Sequence, residues 1–151
     1  MASKAKVGAG IQLQRGDGVS PEVFTTIPEV TSLKFGGIKV DREEVTNQDS
    51  AVQNGLIFKE YISTLADGGE ITATFNYLAS DTVQEALRNS QDGKVHNFKI
   101  VVRDLTQSPI VILKTFSFAA FVDSWSIPDF QVSKKMEGNT VLKVSGPITA
   151  A

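Results

Sequence analysis

Few residues of this chain could carry catalytic chemistry. It has 151 residues, a single histidine and no cysteine, which excludes disulfides, thiol nucleophiles and zinc sites built on cysteine. His96 has Asp92 and Asp104 near it in sequence, and a histidine beside a carboxylate can serve as a general base. No serine lies in a G-x-S-x-G nucleophile turn, and a lone strand histidine usually has a structural role. The sequence therefore predicts no enzyme.

Acidic side chains between Asp41 and Asp49 are a second group with possible chemistry, because clustered carboxylates can bind calcium. A calcium loop that began at Asp41 would need an oxygen ligand at its fifth position and glycine at its sixth. The chain has Val45 and Thr46 there. A phosphate-binding P-loop is also missing from the sequence. We therefore predict neither a metal site nor a cofactor.

Composition and charge indicate an ordinary single domain. Hydrophobic residues make up 41% of the chain, charged residues 21%, and the formal net charge is −2, so no strong overall field attracts nucleic acid or an anionic membrane. The most apolar stretch, Ile110–Val122, is shorter than the ~20 residues of a membrane helix. The N-terminus lacks the apolar core of a secretory signal. We expect a soluble protein made in the cytoplasm, without membrane contact.

Alternating apolar and polar residues predict strands along much of the chain. Glu70–Leu78 is the clearest case. Ile110–Trp125 is apolar on both faces, which is typical of a strand between two layers or at a subunit interface. Gly36-Gly37 predicts a two-residue hairpin. The other predicted strands are Ile11–Leu13, Glu29–Phe35, Ile38–Val45, His96–Arg103 and Asn139–Ser145, and we expect Ile57, Phe58, Tyr61 and Ile62 in the core.

One helix is predicted at Asp81–Ser90. Asp81 and Gln84 have the spacing of a capping box. A narrow apolar stripe, too small to support a helical bundle, consists of Val83, Ala86 and Leu87. The fold prediction is therefore mainly β, an antiparallel β-sandwich or barrel with one flanking α-helix.

Two segments lack the pattern of a strand or helix. Residues 1–20 are rich in glycine and predict a flexible N-terminal arm, and Thr46–Leu56 is polar and predicts a long loop. In a monomer these would be an ordinary arm and loop. In a self-assembling subunit they would become ordered only against neighbours, and paired sheet edges would join the subunits. The residues alone leave both alternatives open.

Five stretches give the sequence a specific resemblance, in the same order along the chain. Together they resemble the major tail tube proteins of long-tailed bacteriophages, the lambda-like tail tube family, over about Ile11 to Gly146. The stretches are LQRGDGVSPEVFTTIPEVTSL (Leu13–Leu33), REEVTNQDS (Arg42–Ser50), KEYISTLADGGE (Lys59–Glu70), FNYLASDTVQEAL (Phe75–Leu87) and FAAFVDSWS (Phe118–Ser126).

The resemblance implies a structural protein of the virion. We expect one tail tube domain over residues 1–151, without the C-terminal immunoglobulin-like domain that some members of the family carry. In this family six subunits form a ring and the rings stack into a tube. A long loop, by position 45–59 here, and the N-terminal arm bridge successive rings. The loop residues are Thr46, Asn47, Gln48, Asp49, Ser50, Asn54 and Phe58, and the arm residues are Gln12, Gln14, Arg15 and Asp17. Family members often have histidine at the position of Gln48, so this loop varies.

The resemblance also implies partners. The tube assembles around a tape-measure protein, meets tail terminator and distal tail or baseplate proteins, and later conducts DNA without sequence-specific binding. A conduit must not hold DNA through many phosphate contacts, and the small net charge is compatible with passage. Candidates for the surface that lines the lumen are the polar faces of two predicted strands, namely Thr72, Thr74, Asn76, Lys99 and Arg103.

Two alternatives to a tube subunit stay open from the sequence. One is a related ring-forming protein of phage tails or contractile injection systems. The other is a monomeric β-sandwich that binds carbohydrate, which would need an exposed aromatic platform. The single tryptophan, Trp125, lies beside the doubly apolar strand, where burial is the simpler expectation.

Overall fold

The structure is a computed structural model that describes residues 8–128 and 130–151. In chain order the strands and helix are β1 (Gln12–Gly16), β2 (Phe24–Thr26), β3 (Val30–Phe35), β4 (Lys39–Glu44), β5 (Val52–Gln53), β6 (Leu56–Ile57), β7 (Tyr61–Asp67), β8 (Glu70–Asn76), α1 (Thr82–Asn89), β9 (His96–Asp104), β10 (Val111–Ser126) and β11 (Glu137–Ala150).

Seven strands form one antiparallel sheet in the order β2-β1-β9-β10-β11-β8-β3. The long hairpin of β10 and β11 is its centre. Residues 8–11, next to β1, and residues 30–33 of β3 line a common cavity, so the sheet curls until its two sides approach each other. The prediction of a mainly β antiparallel fold with one helix is confirmed.

The core lies on the concave face of this sheet. It follows the predicted alternation of β8, since Ile71, Ala73 and Phe75 are buried while the residues between them are not. The other buried core residues include Leu13, Ile27, Leu87, Phe98, Phe118, Ala120, Val122, Leu142 and Val144.

Helix α1 packs on the core and begins as predicted. The Asp81 side chain caps it by accepting hydrogen bonds from the Val83 and Gln84 amides, both at 2.9 Å. The reciprocal half of the capping box is missing. Gln84 is buried and its side chain bonds three backbone groups instead, at Leu78, Asn76 and Pro28. This helix has eight residues and is the only one in the described part of the chain; it is too short to cross a membrane.

The predicted hairpin at Gly36-Gly37 is wrong. β3 pairs with β8, and β4 pairs with β7, so the glycines connect two successive ladders. The connection from β7 to β8 crosses the connection from β3 to β4 at Gly69. There φ is +82°, and an added Cβ would lie 2.3 Å from the Gly37 carbonyl oxygen. Glycine serves here for close backbone approach and not for chain reversal.

β4 and β7 therefore form a separate two-stranded sheet that extends beyond the main sheet. Residues 38–67 are here called the ribbon. Every residue of β4 and β7 is exposed. The expectation that Ile57, Phe58, Tyr61 and Ile62 return to the core is wrong, because they belong to this ribbon and are about half exposed.

The predicted flexible arm also differs from the structure. Residues 1–7 lie outside the described residues. Gln12–Gly16 is the strand β1, which pairs with β2 and β9, and Leu13 is completely buried. The expected extended piece at Ile11–Leu13 is therefore the start of a longer strand. The full strand was not predicted because polar residues surround Leu13, which leaves little apolar alternation in the sequence.

Candidate assembly surfaces

The structure brings the single histidine together with only one of its two possible carboxylate partners. His96 Nε2 lies 3.1 Å from Asp92 Oδ1, and this hydrogen bond, with one from the Lys94 amide, lowers the pKa of Asp92. Asp104 lies at the far end of β9 and accepts hydrogen bonds from Thr106. Among the described residues no group of three or more histidine, aspartate or glutamate side chains could hold a metal ion.

The ribbon is the most unusual surface of the molecule. A two-stranded ribbon is marginally stable in water by itself, yet this one exposes large apolar side chains along its whole length, up to 73% of Leu65. The full set is Ile38, Val40, Val45, Val52, Leu56, Ile57, Phe58, Tyr61, Ile62 and Leu65. So many exposed large apolar side chains in one segment are typical of an interaction site.

The tip of the ribbon is not the unstructured loop that the sequence predicted. β5 and β6 form a small hairpin across Asn54 and Gly55, whose φ values of 54° and 78° suit a two-residue turn. The amide of Phe58 donates to the Ala51 carbonyl at 2.9 Å. The Asn-Gly pair was the sequence signal for this hairpin, but only two residues flank it on each side.

Ser50 fixes the other half of the tip. Its side chain is 4% exposed. The hydroxyl donates to Glu60 Oε2 at 3.0 Å and accepts a hydrogen bond from the Asn47 amide at 2.9 Å. Thr46 accepts one from the Glu60 amide, and Asn47 accepts one from the Asp49 amide. Of the predicted loop residues, Ser50 is buried and Thr46 half-buried, whereas the others remain exposed, namely Asn47, Gln48, Asp49, Asn54 and Phe58.

The predicted arm residues make contacts within their own subunit. Arg15 Nε donates to the Ser90 hydroxyl at the end of α1, at 2.8 Å. Asp17 accepts hydrogen bonds from the Val19 and Val23 amides, which lower its pKa. Arg15 and Asp17 thus hold β1 and the following turn in place. Gln12 and Gln14 lie on the convex face of the sheet, opposite Val101 and Lys99 of β9.

The predicted lumen residues share the convex face of the sheet, away from the core. Thr72, Thr74 and Asn76 alternate with buried residues of β8, and Lys99 follows the buried Phe98 of β9. β8 and β9 are separated by β11 and β10, so these residues span four neighbouring strands.

Both cationic candidates on this face are held by contacts within the chain. Lys99 Nζ lies 4.1 Å from the centre of the Phe24 ring, a cation–π distance. Arg103 Nε donates to the Gly10 carbonyl at 2.9 Å. Trp125 packs against Phe75 and Tyr77 and therefore offers no open aromatic platform.

Of two further exposed apolar surfaces, the sequence interpretation missed the first, and it gave the second only as part of a strand that is apolar on both faces. The first is the connection between β10 and β11, in which Phe130 is 73% exposed and Val132 fully exposed. The second is the tip of the β9–β10 hairpin with the start of β10, which includes Ile110 and Ile112. Apolar patterning alone cannot distinguish exposed apolar residues from core residues, because the two classes have the same types of side chain.

Known structures provide the comparison. No protein-family model matches the sequence, and no curated protein matches it. The chain is similar in fold to a sheath/tube terminator structure of PVC, an extracellular contractile injection system, with a TM-score of 0.73, 15% identity and coverage of 100% of this chain and 99% of the other. A chain from the tail of an empty gene transfer agent particle with C6 symmetry matches with a TM-score of 0.69 and 14% identity over 97% of this chain and 99% of its own.

The SPP1 tail tube also matches, with a TM-score of 0.62 and 16% identity over 95% of this chain and 77% of the other. The resemblance to tail tube proteins is thus confirmed at the level of the fold.

Proposed function

We propose that this chain is the tube subunit of a phage tail or related particle, a structural virion protein without enzymatic activity. The observation that carries the proposal is the match of nearly the whole chain to tail and tube structures. Six subunits would form a ring, and stacked rings would form the tube.

Stacking is assigned to the ribbon. The ribbon exposes ten large apolar side chains within 30 residues. Contact with neighbouring rings would explain them, because burying apolar surface stabilises an assembly by ~25 cal/mol per Å². Its tip, 45–59, is the segment proposed to bridge rings. The role of Arg15 and Asp17 is instead to stabilise their own subunit, as their hydrogen bonds indicate.

Ring formation is assigned to two segments of the central β10–β11 hairpin that extend beyond their neighbouring strands, here called the overhangs. β9 pairs with β10 only as far as Ala120, and β8 pairs with β11 only from Glu137 to Lys143. No other strand of the described residues pairs with the free sides beyond these points. The overhangs lie on opposite sides of the hairpin, so each subunit can accept a neighbour on both sides, as a closed ring requires.

The convex face of the sheet is proposed to line the lumen and to let DNA pass. Thr72, Thr74 and Asn76 are uncharged. Lys99 and Arg103 are engaged by an aromatic ring and a backbone carbonyl, which limits their reach toward phosphates. The tape-measure protein, tail terminator and distal tail or baseplate proteins are the proposed partners of the assembled tube.

Electron microscopy of the purified protein at rising concentration tests the proposal. We expect tubes whose end views show sixfold rings. Substitution of Leu65 by lysine should prevent stacking, whereas Val23→Lys, a matched change of an exposed valine outside the ribbon, should not. Protein that stays monomeric at every concentration would refute the proposal, and rings that never stack would favour the related ring-forming assembly protein.

A further inference from the structure

The ribbon and the loop before β11 lie at opposite ends of the same strand pair. β8 pairs with β11 from Glu70 opposite Lys143 to Asn76 opposite Glu137. The ribbon ends just before Glu70, and residues 130–136, here called the 130–136 loop, end just before Glu137. The two surfaces are thus separated along the sheet by the length of β8, ~20 Å at ~3.3 Å per residue.

The ribbon is acidic as well as apolar. Residues 38–67 contain six carboxylates and three cationic side chains. Asp67 is bound at the base by Lys143, at 2.8 Å. Asp41, Glu43 and Glu44 are exposed on β4, next to the apolar residues of β7.

The 130–136 loop has the complementary character. It contains two lysines and no carboxylate. Phe130 and Val132 are among the most exposed large apolar side chains of the protein, and Lys134 and Lys135 are exposed beside them. Lys135 also forms an exposed ion pair with Glu137 at the start of β11, at 3.3 Å, which places the end of its side chain at the edge of the sheet.

We propose that the ribbon of one subunit docks on the 130–136 loop of a second copy in the next ring, an inference that rests on the proposed tube function. Head-to-tail stacking brings the ribbon end of one copy to the loop end of the next. Apolar residues meet apolar residues there, and an acidic surface meets a basic one. Complementary charge fixes the register of such contacts and suppresses wrong pairings, so the loop sets the polarity of stacking.

Photo-cross-linking from Val132 tests the contact directly. A benzophenone amino acid replaces Val132, which is fully exposed, and a mixture of ¹⁵N-labelled and unlabelled copies is assembled and irradiated. We expect peptides that join position 132 to residues 38–67 of the other isotopic form, and none in unassembled protein. Tubes with cross-links from position 132 to any other segment would overturn this contact alone. Absence of rings and tubes in the wild-type protein would overturn the tube function, and this contact with it.

Charge reversal gives a second, independent measurement. The double variant Lys134→Glu/Lys135→Glu should raise the protein concentration needed for tubes about tenfold or more, because like charges would then face each other. The matched variant Lys134→Arg/Lys135→Arg should assemble normally, and added Glu43→Lys/Glu44→Lys should restore assembly to the reversed variant. Since all four side chains are exposed, circular dichroism of each monomer should match wild type. Normal assembly of the reversed variant, or failure of the rescue, would overturn the proposal.

Discussion

Replacing Ser50 by alanine should loosen the ribbon tip without unfolding the domain. The change removes the hydroxyl that donates to Glu60 and accepts from the Asn47 amide. A hydrogen bond contributes ~1 kcal/mol net, so two of them amount to about 2 kcal/mol, or about thirtyfold in the opening equilibrium of the tip. Hydrogen exchange of the Phe58 and Glu60 amides measures this opening.

The core provides the internal reference for that measurement. Amides of β8 and β11 should exchange as in wild type, because the hydrogen bonds that Ser50 makes to Asn47 and Glu60 lie within the ribbon. Ser63→Ala, the same change at an exposed position of β7, is the matched control and should leave exchange of the tip unaltered. A change below about threefold at Phe58 and Glu60 would refute the role assigned to Ser50. The same variant should need more protein to form tubes, because a loosened tip must be ordered again on docking.

Three further perturbations test the subunit itself. Gly69→Ala should destabilise the protein severely in urea unfolding, because the added methyl meets the Gly37 carbonyl at a positive φ. Gln84→Ala should lower the free energy of unfolding by about 2–3 kcal/mol, followed by Trp fluorescence, because it leaves three backbone groups without their partner. Acidification should weaken the Asp67–Lys143 pair: the lysine hydrogen bond lowers the pKa of Asp67, so its contribution is present above pH ~4 and lost as pH falls further. Asp67→Asn should abolish that part of the pH dependence of stability in acid titration.

The parts of the fold that sequence predicted are those determined locally. The alternation of β8 and the Asp81 cap with the Leu87 stripe each depend on neighbouring residues, and the structure confirms both. Gly36-Gly37 has the sequence of a hairpin turn, yet it serves a close crossing with Gly69, a contact between segments more than thirty residues apart in sequence. Such a contact leaves no periodic signal.

The ribbon was misjudged for a different reason. Tyr61 and Ile62 have side chains of the kind found in protein cores. Apolar patterning indicates that such residues avoid water, but it does not show whether their own subunit or another molecule covers them. A residue buried between subunits and one buried within a subunit therefore look alike in sequence. The resemblance to tail tube proteins assigned 45–59 to contacts between rings, which stays a prediction, whereas the residues alone gave this segment as an unstructured loop.

The order of the ribbon in a single subunit has consequences for assembly. A disordered loop would lose ~1–2 kcal/mol of backbone entropy per residue on docking, which offsets much of the gain from apolar contacts. Here the base is held by the glycine crossing and the Asp67–Lys143 pair, and the tip by Ser50 and the Asn54-Gly55 turn. The ribbon would thus enter the proposed contact already shaped, and more of its apolar burial would remain as stability of the stack. Because the acidic ribbon and the 130–136 loop are present in every subunit, the proposed contact needs no partner other than a copy of the same chain.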